Sequence, residues 1–74
     1  MGRLAGFAAV EVRAKLRRAG FRFDRMAKGS HEIWRNPRTQ RRTMIPVHPG
    51  DIPEGTVRVI VREAGLTVDE FLAL

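Results

Sequence analysis

The chain contains no cysteine, so neither a disulfide nor a thiolate metal site can brace it. At 74 residues it lies near the lower limit for a self-supporting core, and one domain over residues 1–74 is expected. No apolar run approaches the roughly 20 residues of a membrane-spanning helix. The opening Met1-Gly2-Arg3-Leu4-Ala5-Gly6 has neither a signal-peptide apolar region nor a Ser or Thr at position 6 for myristoylation. These absences predict a soluble protein of the reducing cytoplasm with no membrane association. Internal repeats, low-complexity tracts and linkers are lacking too. There is no His-Glu-x-x-His spacing and no acidic cluster beside either histidine, so no metal or other cofactor is expected.

Acidic side chains are scarcest in the middle of the chain. From Arg13 to Arg42 there are eleven basic residues and two acids, Asp24 and Glu32, a local charge of +9. The remainder carries three basic and six acidic residues, which brings the formal net charge to +6. A polyanion is the natural partner of such a belt, nucleic acid first and acidic protein second. Twelve of the fourteen basic residues are arginine, whose planar fork suits phosphate and stacks on bases.

Periodicity predicts an α+β domain. Val12, Leu16 and Ala19 recur at helical spacing within residues 7–19, with Arg13, Lys15 and Arg17 outward. Gly20, after a basic last turn, marks the helix end. Phe21-Arg22-Phe23-Asp24-Arg25 alternates as a half-buried strand, Lys28-Gly29 turns, and residues 30–35 form a second strand. Asn36-Pro37-Arg38-Thr39 is a tight connection to a third strand at 41–47. Links this short give a three-stranded antiparallel meander. A second helix is expected from Pro53 or Glu54 to about Ala64, buried through Val57, Ile60, Val61 and Ala64 and stopped by Gly65. Thr67-Val68-Asp69-Glu70 is a capping box that starts a last short helix. Helices segregated on one face of such a sheet define the class.

Alternation places Ser30, Glu32 and Trp34 on one face of the second strand and His31, Ile33 and Arg35 on the other. Trp34, the single tryptophan, is expected to anchor the core with Phe21 and Phe23, because so small a domain cannot forgo its largest apolar group. His31 then faces solvent. Ile33 fits either face, which leaves the register open.

Five segments, in order, carry a family likeness: Arg18-Ala19-Gly20-Phe21, Lys28-Gly29-Ser30-His31-Glu32-Ile33-Trp34-Arg35, Pro46-Val47-His48-Pro49-Gly50, Gly55-Thr56-Val57 and Ala64-Gly65-Leu66. Together they resemble the HicA family over residues 9–74. The resemblance implies a double-stranded-RNA-binding-domain-like α-β-β-β-α fold. It also implies the toxin of a type II toxin–antitoxin pair, an mRNA-cleaving endoribonuclease whose partner is a HicB-type antitoxin. The histidine of the Gly-Ser-His motif, required in the family, carries over to His31, and the Pro-x-His-Pro-Gly motif carries over to His48. Residues 1–8 depart from the usual lead-in by being longer and more apolar.

RNA brings its own nucleophile, the 2′-hydroxyl, so a nuclease without metal needs a base and a way to stabilise the phosphorane. A neutral imidazole suits the first task because the free group titrates near working pH. On this reading His31 is the general base. Lys28, Arg22, Arg25, Arg35, Arg41 and Arg42 are the expected RNA contacts that hold phosphate. The Gly29 turn lets backbone N–H groups approach it, and Ser30 can donate a hydrogen bond. His48 is either a general acid or a structural loop residue. The plain reading of His31 is a surface strand histidine, and that of the helical Arg13, Lys15, Arg17 and Arg18 is solvation or partner contact. Rivals to the nuclease are a non-catalytic RNA-binding module, a DNA-binding protein and a protein-interaction module. The second helix lacks the lysine cluster used to straddle the A-form groove, and it offers only Arg58 and Arg62 for a DNA groove.

Overall fold

Val12 and Leu16, one turn apart, are fully buried and define the inner face of α1 (Ala9–Arg18) in a computed structural model that describes residues 2–74. The helix starts two residues later than periodicity alone predicts. Ala8 is its N-cap, and the Ala8 N–H donates to Glu11 Oε1 at 2.8 Å. It ends where Gly20 takes φ +98°, with Phe21 N–H donating to Leu16 O and Gly20 N–H to Arg17 O. The second helix, α2 (Glu54–Glu63), ends the same way: Gly65 at φ +77°, Leu66 N–H to Val61 O and Gly65 N–H to Arg62 O. In both cases a residue without Cβ satisfies the last carbonyls while reversing the chain.

Between the helices lie β1 (Arg22–Ala27), β2 (His31–Arg35) and β3 (Arg42–Pro46), paired antiparallel in the order β1-β2-β3. Ser30, expected to open the second strand, sits instead in the Lys28-Gly29-Ser30 turn, where its carbonyl accepts from Val47 N–H. The link from β2 to β3 is longer than four residues. Buried Asn36 organises it, accepting through Oδ1 from Arg38 and Thr39 N–H while Nδ2 donates to Ala19 O. The chain closes with α3 (Val68–Ala73), and the Thr67 capping box forms reciprocally: Thr67 Oγ1 accepts from Glu70 N–H and Glu70 Oε1 from Thr67 N–H.

The core joins Trp34 and Ile45 from one sheet face to Val12, Leu16, Val57, Ile60, Val61 and Phe71 from the helices. This is the expected α-β-β-β-α arrangement with a short third helix, α+β with an open sheet. Phe23 departs from expectation. It remains 50% exposed and meets Trp34 only edge-on, ring centroids 6.3 Å apart, because the helices pack over β3 and leave β1, the other edge strand, largely uncovered.

The lead-in has a structural role. Leu4 is fully buried, Phe7 stacks edge-to-face on Phe71 at 5.4 Å, and Phe7 O accepts from Ile52 N–H. Arg3 pairs with Asp69. Apolar residues before α1 thus close the end of the core beside α3. Among the described residues no helix is long and apolar enough to cross a membrane.

Candidate functional site: the open sheet face

Strand alternation turns Trp34, Thr43 and Ile45 to the core, so His31, Ile33, Arg35, Arg42, Met44 and Pro46 share the opposite face. On β1 a bulge decides which residues join them. Phe23 and Arg25 oppose successive residues, Trp34 and Ile33, so Asp24 is an extra residue in the ladder. Strict alternation would place Arg22 and Arg25 on opposite faces. With Asp24 bulged, both stand on the open face.

Cross-strand pairing arranges this face in three rows. Arg22, Arg35 and Arg42 oppose one another directly, Arg25, Ile33 and Met44 form the next row, and Ala27, His31 and Pro46 the last. Like charges placed directly opposite destabilise a sheet. No carboxylate pairs with any of these three row arginines among the described residues. Arg35 donates instead to the neutral Gln40 Oε1. Three arginines on opposed positions without counter-charge make this row strongly electropositive.

The two acids of the belt are already engaged. Asp24 takes Arg25 at 2.8 Å. Glu32 receives a bidentate pair from Arg13, Nε to Oε1 at 2.8 Å and Nη2 to Oε2 at 3.0 Å, and also accepts from Trp34 Nε1 at 2.9 Å. These bonds, the Arg13 one foremost, hold the Glu32 carboxyl below its ordinary range against the opposing effect of burial. Arg17 caps the same assembly, its guanidinium 5.1 Å from the Trp34 ring centre. Lys15 binds the carbonyls of Leu72 and Leu74. So Arg13 and Lys15, expected to face solvent, are half-buried in structural contacts, whereas Arg17 remains exposed while lying over Trp34.

His31 opens β2 immediately after the Lys28-Gly29-Ser30 turn and is exposed. Gly29 takes φ +76°, and a Cβ there would lie 3.7 Å from His31 Nδ1. His31 and His48 line one cleft of about 320 Å³ between β3 and α2, with Met44, Thr56, Val59 and Glu63 among the other walls. His48 Nδ1 lies 2.9 Å from Pro49 O, a pure acceptor, so Nδ1 carries the proton and Nε2 is the atom left for other partners. Among the described residues no three His, Asp or Glu side chains gather as a metal-binding group.

Of the residues expected to contact RNA, the structure brings Arg22, Arg25, Arg35 and Arg42 onto the face that bears His31, with Lys28, Gly29 and Ser30 at its end. Arg41 stands apart. Its side chain crosses Gly65, so it belongs to the C-terminal end of α2.

The model of the family described as the HicA toxin of bacterial toxin–antitoxin matches residues 9–66. The chain belongs to the HicA toxin family. Membership carries a toxin role and implies an antitoxin partner. Among curated proteins no relative matches. The HicA match begins at the first residue of α1, so the lead-in that packs Leu4 into the core lies outside it. Glu63, which the sequence analysis did not single out, lines the same cleft as His31 and His48. An acid in the last turn of a helix opposes the helix dipole, and that misplacement was the signal available.

Proposed function

We propose that this HicA-family chain is an endoribonuclease that cleaves mRNA by transesterification, with His31 as general base. The observation that carries this reading is an exposed imidazole in the last row of a sheet face whose other rows carry Arg22, Arg25, Arg35 and Arg42. His31 takes the proton from a ribose 2′-hydroxyl, and the 2′-oxygen attacks the adjacent phosphorus. Lys28 and the backbone N–H groups of its turn offset the charge gathering on the phosphorane oxygens. The bond to the 5′-oxygen breaks, and that oxygen takes a proton from Nε2 of a doubly protonated His48, which shares the cleft and keeps its Nδ1–H on Pro49 O. The products are a 2′,3′-cyclic phosphate and a free 5′-hydroxyl. The arginine rows hold flanking phosphates and fix the strand's path.

The antitoxin, in this reading, is a HicB-type protein with an acidic surface that covers the arginine rows and His31. A transcript incubated with chelator present tests the chemistry. Wild type cleaves it to 5′-hydroxyl ends, and His31→Ala retains binding but loses roughly 10²–10⁴-fold in rate. A 5′-phosphate product, or undiminished cleavage by His31→Ala, refutes the mechanism. In cells, the chain alone arrests growth and co-expressed antitoxin restores it. Harmless accumulation of folded protein refutes the toxin role of this copy.

A further inference from the structure

The cleft between β3 and α2 contains a feature that phosphate binding does not explain. Glu63 lines it beside His31, and it also lines the adjoining hollow with Ile33 and Arg42. A carboxylate there repels a phosphodiester. Its side chain is nonetheless held in place, because Thr43 Oγ1 donates to Glu63 Oε1 at 2.8 Å. No basic side chain pairs with this exposed carboxylate among the described residues, so its remaining acceptor sites are open to the donors of a ligand. Apart from the Thr56 hydroxyl, the other walls are apolar: Met44 is 49% and Val59 39% exposed, with Pro46, Pro53 and Ile60 beside them. A volume of about 320 Å³ equals roughly ten waters of liquid and admits a purine.

Apolar walls, an imidazole and an acceptor held by Thr43 suit an unstacked base, through its faces and its Watson–Crick edge. We infer that this cleft is a nucleobase subsite and that Glu63 selects a base with N–H donors on that edge, guanine above all. Guanine presents N1–H and the N2 amino group side by side and fits a carboxylate with two parallel hydrogen bonds. Adenine and cytosine offer one amino group, and uracil's single N–H is flanked by two carbonyl oxygens that the carboxylate repels. The His48 ring supplies a stacking surface. The inference rests on the ribonuclease reading for its consequence: a seated guanine would place the neighbouring ribose and phosphate at His31. It concerns binding, and binding is measurable without cleavage.

The test uses uncleavable 2′-O-methyl tetranucleotides that differ at one position and carry a fluorophore for anisotropy. Wild type binds the guanine member about ten- to a hundredfold more tightly than the uracil member. Glu63→Gln keeps an oxygen for Thr43 and so keeps the fold, but the preference shrinks to within about threefold while weak, salt-sensitive binding persists. Val59→Trp, a filling substitution on the exposed side of α2, lowers guanine binding to the uracil level and leaves the thermal transition in place. Equal affinity of wild type for all four bases overturns the inference. A preference that survives Glu63→Gln overturns the role of Glu63. Cleavage of matching unmodified RNA is scored separately, so a protein that prefers guanine yet cleaves nothing defeats the nuclease reading and spares the subsite.

Discussion

Replacing Arg22 and Arg42 together by glutamine leaves Arg35 alone in the middle of its row, and the structure fixes two opposite consequences. Each replaced residue is exposed, pairs with no carboxylate among the described residues, and directly opposes Arg35 across a strand pair. For guanidiniums about 6 Å apart, slightly beyond the usual Cβ spacing of opposed residues, two like charges in water repel by about 0.7 kcal/mol. Physiological salt, with a screening length of about 8 Å, reduces this to roughly 0.3–0.4 kcal/mol per pair. Removing both pairs therefore stabilises the fold by about 0.7 kcal/mol, a rise of roughly 3–5 °C in melting temperature for a domain of this size. Binding changes the other way. Each lost phosphate contact flattens the plot of log affinity against log salt by about 0.7 for single-stranded RNA, so the double variant is shallower by about 1.4. Differential scanning fluorimetry and anisotropy titrations at several salt concentrations read the two effects on one preparation. A variant that melts lower, or one that binds RNA with an unchanged salt slope, refutes the assignment of the row as a phosphate-binding surface kept at a cost to stability.

Other consequences are as direct. Leu4→Ala, far from the arginine rows in sequence and fully buried, costs about 2–4 kcal/mol, and a melting temperature within a few degrees of wild type would show that the lead-in is dispensable. Glu32→Gln breaks the bidentate bond from Arg13 and destabilises the protein by about 1–3 kcal/mol at neutral pH. Because the folded protein holds Glu32 below its ordinary carboxyl range, its contribution is complete above that range and disappears as pH falls through the folded value. Wild type and variant therefore converge in acid denaturation, and a constant gap down to the lowest pH contradicts the attribution. Deleting Asp24 would ordinarily flip the faces of a strand, but here it removes only the bulged residue. Near-native melting and retained RNA binding are expected, and an unfolded product would show that the bulge is required by its neighbours.

Local rules made most of the fold legible. Helical spacing of Val12 and Leu16, the Gly20 and Gly65 terminators and the Thr67–Glu70 box each depend on residues within about one turn, and the elements formed within a few residues of their expected limits. The place of Trp34 inside and His31 outside followed from alternation in β2. Phe23 was misjudged because alternation describes which way a side chain points, and whether anything covers it depends on how far the helices extend over the sheet. The lead-in was unreadable for a similar reason: Leu4 and Phe7 have no periodic context, Leu4 is buried in the shared core, and Phe7 is held by Ile52 and Phe71, distant in sequence.

By itself, then, the amino-acid order determined the succession of elements, the charge of the belt and the isolation of one histidine after a glycine turn, all properties of neighbours along the chain. Tertiary structure alone decided which cations act together. A bulge at Asp24 moves Arg25 to the face of Arg22, pairing register sets Arg22, Arg35 and Arg42 abreast, and the seating of α2 beside β3 brings His31, His48 and Glu63 into one cleft. The physical reason is that register and packing are set by the summed burial of the whole core. A single strand's periodicity cannot specify what lies across from it.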